Sequence, residues 1–346
     1  MLAIVLALAS AIGYGGSDFA AGLASRDVSV ISVTLLATVV STVIVAAALP
    51  FAASPGLSAA ALAWGFGAGL GGTLGAFALY LGYRHAAFSV AGPLSAVGSA
   101  GFSVLAGLLY GERPTNLALA GIVLALPAIV AVSVSADEGA VTGGGGAARG
   151  VAFGLVAGAG FALLFIGLDR AGSGSGMWPV AAAAAGELAA AAGAAVLAGL
   201  AARRAAAGGD MAAGGGMAAG GGVSPEAADA SPGDADVGPG GAVDTAASPA
   251  DSAAGRAGGG FFRLVDSRAR LLAVVTGAAG AAGTILFFFA THQGFLAVTA
   301  VLTSLYPAVT IMLARTVLGE RLTAMRLGGL ALAGVCVSLI AVGGAS

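Results

Sequence analysis

The feature that most constrains this chain is a series of long apolar stretches, each close to the length that crosses a bilayer. A membrane-spanning helix needs roughly 20 consecutive residues that are mostly apolar. Ten windows satisfy this requirement, at about 2–25, 29–52, 58–83, 86–110, 115–135, 150–168, 178–201, 271–290, 294–318 and 325–344. We therefore predict an all-α integral membrane protein with ten transmembrane helices.

The composition agrees with a bilayer environment. Only 9% of the residues are charged, against about 25% in soluble domains. The 60 glycines suit membrane helices, because small residues let neighbouring helices approach closely. The single cysteine, Cys336, excludes a disulfide framework and a cysteine metal site, and we expect neither a metal nor another cofactor. The N-terminal residues lack the basic leader of a signal peptide, so we predict that they start the first spanning helix.

Residues 202–270 differ from the rest of the chain. They are rich in Gly, Ala, Pro, Ser and Asp, and contain almost no large apolar side chain before Phe261. Such a segment buries too little apolar surface to offset the ordering of its backbone. We predict a disordered loop in preference to a folded insert. Its expected role is that of a spacer, the alternative being a regulatory or docking segment.

The triplet Gly-Glu-Arg occurs twice, at 111–113 and at 319–321, after the fourth and the ninth predicted spans. When the two triplets are superposed, the boundaries of the apolar windows coincide without a gap from about residue 69 to 135. We therefore predict two five-helix repeats, 1–135 and 150–346, joined by a linker at 136–149, with the long loop inside the second. Because five is odd, the second copy enters the membrane from the opposite side, an inverted repeat typical of transporters.

Each Gly-Glu-Arg triplet is interpreted as a turn at the water interface in preference to a substrate ligand. The glycine ends the preceding helix. Thr115 and Thr323, which follow the two triplets, are suited to cap the next helices.

The run LTSLYPAVTIMLARTVLGERLTAMRLGGLALAGVCVSLIAVG at 302–343, with its counterpart in the first half, resembles the EamA domain of the drug/metabolite transporter superfamily. The opening IGYGGSDFAAGLASRD at 12–27 is similar to the start of that domain. The resemblance implies a ten-helix carrier whose central cavity is lined by helices one to four and six to nine. It also implies export of amino acids, drugs or metabolites, or exchange of phosphorylated sugars. The loop at 202–270 departs from the compact family pattern.

Away from the interfaces, the predicted spans contain three ionisable residues, Asp18, Glu187 and Arg315. A charge at the bilayer centre costs at least about 2.5 kcal/mol, so each marks a candidate functional site. Glu187 lies roughly 13 Å along the helix from Trp178, and Asp18 roughly 12 Å from the nearer interface. We predict that both carboxyl groups bind substrate or couple transport to protons. The alternative for Glu187 is a structural hydrogen bond to a neighbouring helix, and for Asp18 an ion pair with an arginine or the cap of a broken helix. Arg315 is expected to reach the headgroups, or to bind an anionic substrate.

Further polar residues in the spans are candidates to line the cavity, and two prolines are candidate helix breaks. The alternative for the hydroxyl groups is a bond to their own or a neighbouring helix. His85 and His292 are interpreted as turn residues in preference to a proton relay. The candidates for the cavity wall are Tyr14, Ser17, Ser95, Ser99, Thr303, Ser304, Tyr306 and Arg315, and the breaks are expected at Pro93 and Pro307.

No nucleophile with a base is present, so an enzyme is not expected. We predict a secondary active transporter in the plasma membrane that exports an amino acid, another metabolite or a drug by alternating access with proton coupling. The alternatives are an uncoupled facilitator or exchanger, and a non-transporting scaffold that holds a partner through the loop. The solute and the lipid bilayer are the expected partners, without nucleic acid. The small residues of the tenth span can pack in the bundle or against a second copy, which would form a homodimer.

Two indications of orientation disagree. The resemblance implies that both termini lie in the cytoplasm. Arginines close to the span ends, such as Arg203, Arg204, Arg268 and Arg270, favour termini on the opposite side and the long loop in the cytoplasm. The arginine distribution is slightly the stronger indication, so we predict the long loop in the cytoplasm.

Overall fold

The computed structural model describes residues 1–24, 28–52, 56–85, 88–133, 144–215, 267–318 and 323–343. Within these ranges all regular structure is helical, with two short 3-10 turns at Leu49–Ala52 and Ser173–Ser175. The helices are α1 (Leu2–Ala24), α2 (Val30–Ala48), α3 (Ala59–His85), α4 (Phe88–Leu109), α5 (Asn116–Ser133), α6 (Gly144–Arg170), α7 (Trp178–Gly215), α8 (Ser267–Thr291), α9 (Leu296–Thr303), α10 (Tyr306–Leu318) and α11 (Ala324–Gly343).

Eight helical segments of the described chain are long and apolar enough to cross a membrane. They correspond to the predicted spans one to three and six to ten, where α9 and α10 together form the ninth (Leu296–Val317). The predicted spans four and five are also helices, but their apolar stretches are shorter, at Leu94–Leu109 and Asn116–Ala131. The expected all-helical fold is thus confirmed, and eight of the ten spans meet the length criterion.

The described helices carry large apolar side chains outside and small ones inside. Val5, Leu105 and Leu163 are all more than half exposed, whereas Ala7 and Ala183 are fully buried. Large exposed apolar patches are rare on water-soluble proteins and mark contact with a membrane or a partner. This surface fits a lipid environment.

Glycine lets these helices meet backbone to backbone. Helix α1 packs against α8, and α3 against α6. A Cβ atom added to Gly13 of α1 would lie 2.8 Å from the backbone nitrogen of Gly283 on α8. A Cβ atom added to Gly160 of α6 would lie 2.6 Å from the Cα atom of Gly75 on α3. Both distances are shorter than real Cβ contacts, so larger residues would force the helices apart.

The first Gly-Glu-Arg triplet separates two helices, as predicted. Gly111 follows α4 with a φ of +92°, a left-handed conformation that favours glycine. Thr115 accepts a hydrogen bond from the backbone N–H of Ala118 at 3.2 Å and caps α5. Thr323 caps α11 in the same way, at 3.3 Å. The second triplet, 319–321, lies outside the described residues.

The ninth predicted span is interrupted next to a proline. Helix α9 ends at Thr303 and α10 begins at Tyr306, immediately before Pro307. Because proline has no N–H, Pro307 cannot donate the helical hydrogen bond to the carbonyl of Thr303. At Pro93 the expectation of a break is wrong, since α4 continues without interruption over Phe88–Leu109. Pro93 lies near the beginning of α4, where the missing N–H removes one hydrogen bond and the rest of the helix is intact.

The chain divides into two compact units, 1–193 with 264–346, and 194–263. In the smaller unit the structure describes residues 194–215, which continue α7 to Gly215. The expected disordered loop at 202–270 is therefore too wide at both ends, because 202–215 and 267–270 are helical. The linker expected at 136–149 also overlaps a helix, because α6 begins at Gly144.

Candidate functional site

A cavity of about 180 Å³ lies within the larger unit. Its wall is formed by α1, α2, α3, α6, α7 and α8, together with the first residue of α10. Two carboxyl groups face it, Asp18 from α1 and Glu187 from α7. The structure thus brings together two residues that are far apart in the sequence and that sequence analysis named as candidate sites.

Neither carboxyl group is neutralised by its surroundings. Within the described part of the chain, the side chains of Asp18 and Glu187 meet neither a hydrogen-bond donor nor a cation. The alternative of a structural carboxyl group bonded to a neighbouring helix thus gains no support. A charge within the membrane is costly, so a carboxyl group there is a candidate site for a proton or a bound cation.

The predicted wall residues Tyr14 and Ser17 join α1 to α8 beside these acids. The hydroxyl groups of Tyr14 and Thr284 share a hydrogen bond of 3.0 Å. Ser17 donates to the backbone carbonyl of Thr276 at 2.9 Å. Tyr306, the first residue of α10, also lies in the wall. The break in the ninth span therefore lies at the edge of the cavity.

Four of the other predicted wall residues do not line this cavity, because they face neighbouring helices. Ser99 donates to its own helix and shares a hydrogen bond of 3.1 Å with Ser304, which joins α4 to the end of α9. Thr303 donates to the carbonyl of Ala7 on α1 at 3.3 Å. Ser95 is also fully buried on α4. These hydroxyl groups follow the alternative stated above, namely bonds within and between helices.

Arg315, the remaining candidate, is exposed near the end of α10 and does not line the cavity. This placement agrees with a side chain that reaches toward the headgroups. His292 lies in a turn, where its Nδ1 atom pairs with the carbonyl of Phe288 at 2.6 Å. Its Nε2 atom is buried and without a partner. The side chain of His85 lies outside the described residues.

Sequence analysis missed a polar stripe on α2. Thr34, Thr38 and Ser41 all line the cavity. Their spacing of four and three residues places them on one face of a helix. Three hydroxyl groups at this spacing in an otherwise apolar span were a detectable signal. Other missed wall residues are Thr73, Phe161, Phe165, Thr276 and Thr284.

The cavity extends toward one side of the membrane. Its wall includes Ala21 near the end of α1, Thr34 near the start of α2, Leu79 of α3 and Thr276 near the start of α8. The order of the helices brings these four helix segments to the same side. We refer to this side as the open end.

The opposite end of the bundle is closed by contacts between α6 and α8. The rings of Phe165 and Phe287 stack with their centroids 4.4 Å apart, and both side chains are buried. One turn further along, Thr291 donates a hydrogen bond of 2.5 Å to the carboxylate of Asp169. These two pairs form the closed end.

The first Gly-Glu-Arg triplet contributes to the closed end in a way that the sequence did not predict. Glu112 accepts hydrogen bonds from the backbone N–H groups of Leu296, at 2.5 Å, and Ala297, at 2.9 Å. The carboxylate thus caps the N-terminus of α9. Burial raises the pKa of Glu112; the two N–H groups oppose this change, and the nearby Asp169 adds to it. The triplet is a turn, as predicted, but its acid also fixes a helix of the second half.

Within the described residues, no group of three or more His, Cys, Asp or Glu side chains is placed to hold a metal ion. Long apolar helices around an acid-lined cavity define a multi-pass membrane protein of the transporter type. Residues 1–134 match the sequence model of the EamA-like transporter family. The chain thus carries an EamA-like transporter domain over those residues.

The fold is similar to known structures. A crystal structure of a protein of unspecified function superposes with a TM-score of 0.58 at 16% sequence identity, and the match covers 96% of this chain and 95% of that one. At this identity the likeness concerns the fold alone. Among curated protein sequences no significant match is found.

Proposed function

We propose that this protein is a secondary active transporter that exports a small organic solute across the plasma membrane by alternating access, coupled to protons. The observation that carries the proposal is the cavity lined by Asp18 and Glu187, two carboxyl groups that have no partner in the described part of the chain. A carboxyl group that is alternately protonated and deprotonated links proton movement to the state of the site.

The helix contacts support an inverted repeat of two five-span halves. If the halves are equivalent, the most extensive helix contacts should remain when span n is exchanged with span n + 5. The pair α1·α8 (spans one and eight) becomes α6·α3, and both pairs are in contact. The pair α4·α6 becomes the contact of α9 and α10 with α1, which is also present. The pairs α5·α11 (spans five and ten) and α4·α9 (spans four and nine) each give the same pair after the exchange, and both are in contact.

The two different ends of the bundle support alternating access. Transport requires that the site opens to one face at a time. The cavity reaches the open end, while the Phe165–Phe287 stack and the Asp169–Thr291 hydrogen bond close the other. In the proposed cycle the contacts of the closed end separate while equivalent contacts form at the open end.

The size of the cavity favours a metabolite over a drug. Pockets for drug-sized ligands measure about 300–1,000 Å³, whereas this cavity measures about 180 Å³. A solute of metabolite size fits this space.

The last predicted span offers a surface for a homodimer. On α11, Gly329 is buried, whereas Gly328 and Gly334 have open space beside them. Small residues let a second helix approach closely in a membrane, so we include a dimer through this face in the proposal. The mass of the purified protein in nanodiscs tests it, since Gly328→Leu with Gly334→Leu should convert a dimer to a monomer. A wild-type monomer at all concentrations would rule it out.

The transport proposal is tested by comparing the metabolites of cells and medium. One culture expresses the intact chain, a second expresses Asp18→Asn with Glu187→Gln, and a third expresses Ser338→Ala as the control. This control removes a polar group outside the cavity and the closed end, because Ser338 is exposed on α11 and donates to the carbonyl of Gly334 in its own helix. All three must reach equal abundance in the membrane.

We expect one class of solute to appear in the medium with the intact chain and the control, but not with the double variant. Identical profiles for all three cultures and the empty host would refute transport. A rate that does not change with the proton gradient would instead identify an uncoupled facilitator.

A further inference from the structure

We propose that the transported solute is a small organic cation, a protonated or quaternary amine with an apolar body, which exchanges with protons at Asp18 and Glu187. This inference rests on the proposed transport function and names its substrate class. The argument uses the charges, the aromatic groups and the volume of the cavity.

The charges of the wall select a cation. In the described chain the wall contains two carboxyl groups and no arginine or histidine, and the sequence has no lysine. An anionic solute would meet two acids and no opposite charge, and a zwitterion would leave its own carboxylate without a cationic partner. A cation neutralises two groups that have no partner among the described residues, and a charge within the membrane is costly unless it is paired.

The described arginines Arg170 and Arg315 do not line the cavity. The guanidinium group of Arg170 lies over the ring of Tyr110, 4.4 Å from the centroid. Arg315 is exposed on α10 and lies outside the wall. Neither supplies a positive charge to the cavity in this state.

The aromatic groups of the wall suit the rest of such a solute. Tyr14, Phe161, Phe165 and Tyr306 surround the same space as the two acids. A cation over the face of an aromatic ring is attracted by the ring, and more strongly when water is excluded. Together, two acids and four aromatic rings favour an ammonium group with an apolar body over a strongly hydrated inorganic ion.

The exchange with protons follows from charge balance. When the cation enters a cavity whose carboxyl groups are protonated, it displaces a proton from Asp18, from Glu187 or from both, and each released proton leaves to the solution at the open end. When protons return, they displace the cation. The only other titratable groups of the described wall are the phenols of Tyr14 and Tyr306.

The inference is tested by calorimetric titration of the purified full chain with three probes of similar size. They are phenyltrimethylammonium, a permanent cation, benzenesulfonate, an anion, and benzyl alcohol, which is neutral. Each titration is run in two buffers of different ionisation enthalpy, because the difference in measured heat counts the protons released. The intact chain is compared with Asp18→Asn with Glu187→Gln, and with the control Ser338→Ala, which lies outside the cavity.

We expect the cation to bind the intact chain and the control with release of one to two protons, most clearly in mildly acidic buffer. The double variant should bind it roughly tenfold or more weakly, since a charge pair worth about 1.4 kcal/mol changes affinity tenfold. Equal or tighter binding of the anion or the neutral probe would overturn the inference, as would cation binding without proton release. If the double variant does not stay monodisperse, the single variants Asp18→Asn and Glu187→Gln take its place.

A parallel experiment separates this inference from the transport proposal. Proteoliposomes are loaded with a mixture of amines, carboxylates and neutral metabolites, and the efflux of each is measured with and without a proton gradient. Cation binding with proton release but no efflux of any solute would refute transport and leave the cation site intact. Efflux restricted to carboxylates or neutral solutes would support transport and refute the cation.

Discussion

The crossing of α1 and α8 gives a sharp test of the structure, because one added methyl group there has no space. A Cβ atom on Gly13 would lie 2.8 Å from the backbone nitrogen of Gly283 and 2.9 Å from the carbonyl of Ala279. Ordinary contact begins at 3.4 Å, so Gly13→Ala must separate the two helices by about 0.6 Å. Both contacts are with backbone atoms, which cannot rotate away.

This separation would break the hydrogen bonds that join the same two helices. Ser10 donates to the carbonyl of Gly283 at 2.8 Å, and Tyr14 meets Thr284 at 3.0 Å. A 0.6 Å shift would lengthen these distances to about 3.4 and 3.6 Å, at or beyond the useful range of a hydrogen bond. With the cost of overpacking, we expect Gly13→Ala to lower the free energy of unfolding by about 1–3 kcal/mol.

A matched control lies on the same helix. A Cβ atom on Gly22 would meet nothing within 4 Å. Gly22→Ala therefore adds no clash and removes the conformational cost of a helical glycine, which is about 0.5–1 kcal/mol. The two substitutions, identical in chemistry, should change stability in opposite directions.

The chain contains its own reporter for this measurement. Cys336 is the single cysteine and is fully buried on α11, so a thiol-reactive fluorophore should label the protein only when it unfolds. We expect the temperature of half-maximal labelling to fall by roughly 2–12 °C in Gly13→Ala and to stay constant or rise in Gly22→Ala. Size-exclusion chromatography after heating provides an independent readout. Equal midpoints for the two variants would show that α1 and α8 do not cross closely at Gly13.

Two further predictions use the same assay. Glu112→Ala removes the cap of α9 and should cost about 0.5–2 kcal/mol, whereas Glu112→Gln keeps an acceptor and should cost less; equal effects of the two would argue against the cap. Phe287→Ala empties a fully buried position that stacks on Phe165 and should cost about 3–5 kcal/mol. Phe289→Ala, at a partly exposed position of the same helix, should cost well under half of that, and the reverse order would contradict the packing at the closed end.

The sequence by itself determined the class of fold. The thickness of the bilayer fixes the length of an apolar window, and most of the predicted spans agree with helices of the structure within a few residues. Local chemistry also fixed several helix ends. Gly111 acts through its own backbone conformation and Thr115 through a hydrogen bond from Ala118, three residues further on, so no distant part of the chain was needed to predict the turn.

The sequence also singled out Asp18 and Glu187, since a carboxyl group in an apolar span is rare and costly wherever its helix lies. Their meeting in one cavity was decided by the tertiary structure, which brings α1 and α7 to the same space. The role of Glu112 has the same origin, because the N–H groups that it accepts belong to α9 in the other half of the chain.

The rotation of each helix about its axis could not be predicted from these spans. A helix that is apolar on all sides shows no polar stripe from which its buried face can be predicted. Ser99 and Ser304 therefore looked like wall residues but bond to each other, while Thr34 and Thr38 were overlooked and face the cavity. In a bilayer both faces of such a helix are compatible with the surrounding lipid. Only the packing of the neighbouring helices therefore decides which side chains face the cavity.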